Sequence, residues 1–345
     1  MSSLTQVSIA VPEYSVDASV LKDVGEQWLS DDSASQEKFL RISAQSGVSR
    51  RRFILPYDEI LALNGLEFRA KQFELHGTQM LHRVVAQAIE AASYSADQIG
   101  AMVFTSCSVP VIPSIDAKVI LESDLPKNIT RVPMYQHGCA GGVVGLALGS
   151  KLAELGKPVL VSSVELCSLV FQPQNRHGSH LVGAAIFADG AAATVVSPSD
   201  AGCRILGSES VLLPESRHLM GYDIFDDGFH LRLDRSLPSV LVREAPKVVA
   251  NFLDHFGKRE SDIDYWLFHP GGIKILEFLK DTLHLSDAQC PWSFDVLREH
   301  GNLSSATILF VLETFLRHDV LQKGECAVVM GIGPGLTIEM ILLEG

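Results

Sequence analysis

Three residues of this chain have types and surroundings that suit acyl chemistry: Cys139, His269 and Asn302. Cys139 stands in Gly138-Cys139-Ala140-Gly141-Gly142, after which Val143, Val144, Leu146, Ala147 and Leu148 begin an apolar helical face. Small residues around one thiol let backbone or substrate approach it closely. At a helix N-terminus, unpaired N–H groups and the dipole favour negative charge and draw a thiol toward thiolate. The bland reading of the same text is a buried cysteine beside a tight helix–strand contact. His269 can pair with the thiol, holding it as thiolate beside an imidazolium. Asn302 does not titrate, so it either orients the histidine or donates to an oxyanion. Structural roles compete here too: a satisfied core histidine, and a helix N-cap, since Gly301-Asn302-Leu303-Ser304 opens a helical run.

The elements that must position these residues form a repeat. Ser95-Ala96-Asp97-Gln98-Ile99-Gly100 leads into the apolar run 101–106, and Ser261-Asp262-Ile263-Asp264 leads into 265–269. Each pair reads as a polar turn and a buried strand. The interval from Phe104 to Cys139 is one residue longer than that from Phe268 to Asn302. Each interval ends at a small-residue turn and an apolar helix, GCAGGVVGLALGSKLAE and GNLSSATILFVLETFLR, followed by strand-like runs at 158–162 and 325–330. The pattern is an internal duplication of a strand–helix–strand unit. Such alternation predicts an α/β fold of parallel sheet between helices, with functional groups beyond the carboxyl ends of the strands. The N-terminal region predicts a strand over 7–11, helices over 15–29 and 35–44, and a long helix over 68–92.

Composition narrows the function classes. The 345 residues carry 28 basic and 41 acidic side chains, a net charge of −13, which argues against a nucleic-acid surface. Any anionic ligand must meet a local basic cluster, and the densest is Ser49-Arg50-Arg51-Arg52 with Lys38 and Arg41 upstream. A helix from Ser35 places Lys38 and Arg41 three apart on one side, as a phosphate anchor requires; a solvated helix face is the alternative. The N-terminus lacks a charged and then apolar signal pattern, and no run reaches the length of a membrane span, so a cytoplasmic protein is expected. Six scattered cysteines without CxxC pairs predict reduced thiols and no structural metal.

A cysteine protease uses the same residue types in the same order, but its nucleophile sits in a different local text near the mature N-terminus. The chain instead resembles the type III polyketide synthases, the chalcone synthase family, over nearly its full length. The resemblance is carried by GCAGG at 138–142, SLV at 168–170, HLVGAAIFADGAAATVV at 180–196, FHPGG at 268–272, HGNLSSATILFVLE at 300–313 and GIGPGLTIE at 331–339. It implies a thiolase-like fold of two related halves in an αβαβα arrangement, divided at 1–200 and 201–345, and a homodimer. It implies an acyltransferase with no cofactor, taking an acyl-CoA starter and malonyl-CoA. Cys139 would carry the acyl group, while His269 and Asn302 would decarboxylate malonyl-CoA and stabilise the enolate.

Other positions follow from the resemblance one at a time. Phe187 and Phe229 match the pair that gates the boundary between active site and CoA tunnel. Gly333 and Pro334 match the loop that shapes the cavity wall, and Ile112 a side chain sent across the dimer interface. Lys38 and Arg41 match two of three CoA-phosphate residues; the third place holds Gln45, leaving Arg50 and Arg51 as substitutes. Cys107 matches a second cysteine of bacterial tetrahydroxynaphthalene synthases that prime with malonyl-CoA, or is merely a small strand-end residue. The expected product is a pyrone or resorcinol, with a fatty acyl-CoA a candidate starter. The alternatives are a malonyl-primed tetrahydroxynaphthalene or phloroglucinol-type synthase, a ketoacyl-carrier-protein synthase III-like enzyme, and a non-catalytic acyl-binding relative.

Overall fold

Thirteen strands organise the described residues, and their burial follows their composition. The computed structural model describes residues 2–199, 202–318 and 321–345. The first half contributes β1 (Ser2–Ala10), β2 (Tyr14–Asp17), β3 (Arg50–Phe53), β4 (Ala101–Thr105), β5 (Thr130–Met134), β6 (Val159–Leu166) and β7 (Asp189–Ser197). The second contributes β8 (Cys203–Leu212), β9 (Met220–Phe225), β10 (Gly228–Leu233), β11 (Tyr265–Phe268), β12 (Cys326–Gly333) and β13 (Thr337–Glu344). β4, β6 and β7 are buried at every position, as strands covered on both faces must be. The edge strand β5 instead mixes exposed and half-buried positions.

Nine strands form one sheet in the order β11-β12-β13-β8-β1-β7-β6-β4-β5. Outward from the β1–β8 seam, each wing takes the same path. β1-β7-β6 is antiparallel and β6-β4 parallel; β8-β13-β12 is antiparallel and β12-β11 parallel. The two wings are therefore copies of one unit, and the duplication read from spacing is a duplication of topology.

Helix Gly141–Ala153 touches β4, β6 and β7 of one wing and β12 and β13 of the other, so it lies between the wings beside helix Thr307–Arg317. Its Gly, Ala and Ser content allows this central layer to pack closely. Helix Thr78–Ala91 buries Leu81, Val84, Val85 and Ala88 against the outer face of the first wing. Helix Leu237–Asp254 lies against β13 on the outer face of the second. The layers are helix, sheet, helix, sheet, helix. The expected domain boundary at residues 200 and 201 lies outside the described residues.

Two local expectations are revised. The helix expected over 15–29 begins only at Ala18, because Tyr14–Asp17 pairs with Arg50–Phe53. Asp17 then caps that helix, its carboxylate accepting from Ser19 N at 2.9 Å and Val20 N at 3.1 Å. The long helix near 68–92 runs from Leu66 to Ala91 with a π-helical turn at Phe73–Gly77.

Candidate active site

Cys139 sits in the 3₁₀ turn Gly138–Ala140, directly before helix Gly141–Ala153. Gly138 has φ +52°, and a Cβ there would lie 2.5 Å from Pro334 Cδ. The Gly333-Pro334 loop therefore closes over the nucleophile's turn. A Cβ on Gly142 would collide with the Ser305 carbonyl, so the equivalent turns of the two halves approach backbone to backbone. Cys139 Sγ lies 3.6 Å from Ser304 Oγ, and Cys107 Sγ lies 3.1 Å from the same oxygen. One hydroxyl thus bridges two thiols.

His269 follows β11, its backbone N–H donating to Met330 O at 2.8 Å. The residue is buried, and neither ring nitrogen has a partner among the described residues. Asn302 is oriented by its own turn: Oδ1 accepts from Ser304 N at 2.8 Å and Thr307 Oγ1 at 3.4 Å. Nδ2 donates to Gly271 O at 3.4 Å, which leaves one of its two N–H groups uncommitted. The asparagine therefore orders its own turn while keeping a donor free, and the helix N-cap positions fall instead on Leu303 and Ala306.

Burial works against the expected thiolate–imidazolium pair. Burial pushes the Cys139 thiol up to about 11, and holds the His269 imidazole down to about 3. Both groups are neutral near pH 7, and the imidazole makes no hydrogen bond to the thiol. Desolvation outweighs the helix terminus here because no counter-charge is buried with either group.

Beneath the thiols lies Glu165, fully buried on β6. Its carboxylate accepts from Cys107 N at 3.1 Å, from Ser305 N at 3.3 Å, and from the hydroxyls of Ser108 and Ser305. Burial raises its pKa, and these donors oppose the shift. The glutamate ties the end of β4 in one half to the start of the Ser304–Ala306 turn in the other. Nothing in the motif reading singled it out, although an acid inside the apolar run VLVSSVEL is a visible anomaly.

Cys107, Cys139, His269, Asn302 and Ser304 all line one cavity of about 940 Å³. Phe187, Phe229 and Pro334 line it as well, with Gly333 buried behind Pro334. The Phe187 segment is bonded to the asparagine: Asn302 N donates to Ile186 O at 2.8 Å, and Ala188 N to Asn302 O at 2.9 Å. Ile112 is 99% exposed and does not line this cavity.

The basic residues divide. Lys38, Ile42 and Gln45 share one helix face at the cavity, whereas Arg41 is exposed on the neighbouring face and stays off the wall. Arg50 pairs with Glu299 at 2.8 Å and is also off the wall. Arg51 is a correction. Strand alternation turns it inward, where it is buried and donates to Ala184 O at 2.7 Å and Phe187 O at 2.9 Å. Its guanidinium is a strut behind Phe187 and does not line the cavity that holds Cys139. Lys274 and Arg235, which sequence reasoning missed, line the cavity instead.

Residues 2–200 match the N-terminal domain of chalcone and stilbene synthases, and residues 205–345 match the C-terminal domain. The chain is 33% identical over 355 residues to 1,3,6,8-tetrahydroxynaphthalene synthase of Streptomyces peucetius subsp. caesius, covering 99% of this chain and 93% of that one. It is 30% identical over 348 residues to a phloroglucinol synthase of Pseudomonas fluorescens, covering 100% and 99%. The crystal structure of 1,3,6,8-tetrahydroxynaphthalene synthase from Streptomyces coelicolor A3(2), a bacterial type III polyketide synthase, matches with a TM-score of 0.95 at 28% identity, covering 99% of this chain and 98% of that one.

Proposed function

From the premise that this chain belongs to the chalcone and stilbene synthase family and is a type III polyketide synthase, an acyltransferase, we propose that it loads an acyl group from a coenzyme A thioester onto Cys139 and extends it with malonyl-CoA. The observation that carries this reading is one cavity lined by a thiol, an imidazole whose nitrogens have no partner among the described residues, and an amide with one N–H to spare. In loading, Cys139 Sγ attacks the thioester carbonyl as His269 takes its proton. The tetrahedral intermediate expels coenzyme A thiolate, which takes the proton back from the imidazolium. In extension, the malonyl C–CO₂ bond breaks and its electron pair enters the enolate. That oxygen is held by His269 and Asn302, donors aimed where charge develops. The enolate carbon then attacks the Cys139 thioester and expels the thiolate.

The starter we propose is malonyl-CoA, giving a polyhydroxylated aromatic product like those in the names of the relatives. Cys107 on the cavity wall supports this choice. A fatty acyl starter is the second reading, favoured by the apolar wall of Met220, Leu233, Leu237, Leu241 and Ile332. Lys38, Arg235 and Lys274, which line the cavity, would meet the coenzyme A phosphates. The fully exposed Ile112 supports a homodimer, which sedimentation at micromolar concentration tests by showing twice the chain mass.

Labelled malonyl-CoA alone and with acyl-CoAs from acetyl to palmitoyl decides between the readings. An aromatic product from malonyl-CoA alone supports the first, and product only with a long acyl-CoA supports the second. No product and no coenzyme A release with any starter would sink both and leave a binding protein.

A further inference from the structure

Two side chains on the cavity wall have buried polar atoms without a partner among the described residues: His269 and Tyr135. The first is explained by the chemistry above; the second is not. Tyr135 follows β5, whose last residue Met134 accepts a hydrogen bond from Ser106 N at 3.1 Å. That bond pins the end of the strand beside the Cys107 segment. Burial pushes the phenol pKa well up, and Cys107 and Glu165 add to the shift. The hydroxyl therefore remains a neutral O–H donor at any working pH. A buried hydroxyl bonded to nothing carries the full cost of its desolvation, and such a group is tolerated where a ligand supplies the missing partner.

The polyketide reading, on which this inference rests, says what that ligand presents. Every condensation adds two carbons and one ketone, so a chain on Cys139 carries oxygens beyond the thioester carbonyl. His269 and Asn302 serve the thioester end. The next ketone needs another donor, and the cavity offers apolar side chains such as Met220, Leu231 and Ile332 alongside its polar ones. We propose that Tyr135 is a substrate-binding residue whose hydroxyl donates a hydrogen bond to a ketone oxygen of the β-ketoacyl chain. It would hold the chain extended against premature closure to a short lactone.

Tyr135→Phe removes the oxygen alone. In a Cys139→Ala background, which cannot be acylated, calorimetry can compare acetoacetyl-CoA with butyryl-CoA, two esters that differ by one ketone. The phenylalanine variant is expected to weaken acetoacetyl-CoA by roughly three- to tenfold and to leave butyryl-CoA unchanged, the size of one hydrogen bond. With Cys139 intact, starter loading should persist while products shift toward shorter lactones. Equal losses for both esters, or no loss for either, would overturn the proposal. So would a lower melting temperature in Tyr135→Phe, because a hydroxyl unpartnered in the free protein has no bond to lose. If the unmutated protein makes no polyketide yet Tyr135→Phe still erases the ketone preference, the polyketide reading fails and the binding assignment stands.

Discussion

The two halves share a strand path and a helix position but treat their polar groups in opposite ways. In the first half, Glu165 gathers Cys107 and Ser108 together with Ser305 of the second, so the groups beneath the nucleophile are spent on one another, and Tyr135 is the exception on that half's part of the wall. In the second half, His269 is buried with both nitrogens free, and Asn302 keeps one N–H in reserve. Duplication supplied two equivalent helix starts, one bearing Cys139 and the other Asn302. Divergence made one a nucleophile on a saturated scaffold and the other a donor awaiting charge. Saturated groups fix position, and unsatisfied ones are available to a reaction.

The sharpest way to break this comparison is to remove each side's reacting group. Cys139→Ala should abolish chain extension, since no acyl-enzyme can form, yet leave malonyl-CoA decarboxylation at least partly intact. Asn302→Ala should lower decarboxylation on the order of 100- to 1000-fold and spare loading of Cys139. Mass spectrometry of the loaded protein and release of labelled carbon dioxide read the two steps separately. If Asn302→Ala blocked loading and spared decarboxylation, the asparagine would be orienting the histidine instead.

The saturated side should fail differently. Glu165→Ala strands the Cys107 and Ser305 amides and the Ser108 hydroxyl, and should destabilise the fold by at least about 3 kcal/mol in urea unfolding. Glu165→Gln, which keeps an acceptor, should cost less. Equal stability of Glu165→Ala would mean the glutamate does not tie the halves together.

Acid sharpens the same contrast. His269 is held down to about 3, and His180 and His300 to about 4, in each case chiefly by burial. The unfolded chain takes up these protons near pH 6.5, whereas the folded chain refuses them until well below. Stability should therefore fall as pH drops from about 6.5 toward 4, with up to one proton of slope per histidine. His269→Ala should remove one proton from that slope in denaturant titrations at stepped pH.

The smallest effects should separate the two basic residues that sequence placed in one class. Lys38→Ala should raise the KM for malonyl-CoA several-fold with little change in melting temperature. Arg51→Lys should do the reverse: stability falls by about 1–2 kcal/mol as the buried bonds from Nη1 to two carbonyls are weakened, and KM holds. A KM rise with Arg51→Lys and none with Lys38→Ala would reverse the assignment.

Much of this molecule is written locally. Runs such as AMVFT and VLVSS are strands because β-branched and aromatic side chains suit a doubly covered sheet, and GCAGG breaks them because small residues permit the turn. The repeated spacing of strand, turn and helix revealed two related halves, and the motifs in order revealed the family. The tertiary structure decided what depends on distant partners. Arg51 is claimed by carbonyls at Ala184 and Phe187, far along the chain, so its cluster with Arg50 says nothing of its role. Lys274 and Arg235 reach the cavity from separate elements with no shared motif. The charge states of Cys139 and His269 follow from burial, which residue type and a helix start do not specify. Tyr135 is conspicuous only once folding shows that its hydroxyl, like the His269 ring, has no partner among the described residues. A sequence encodes periodicity and composition directly, but whether a polar group is satisfied is settled by residues that only folding brings near.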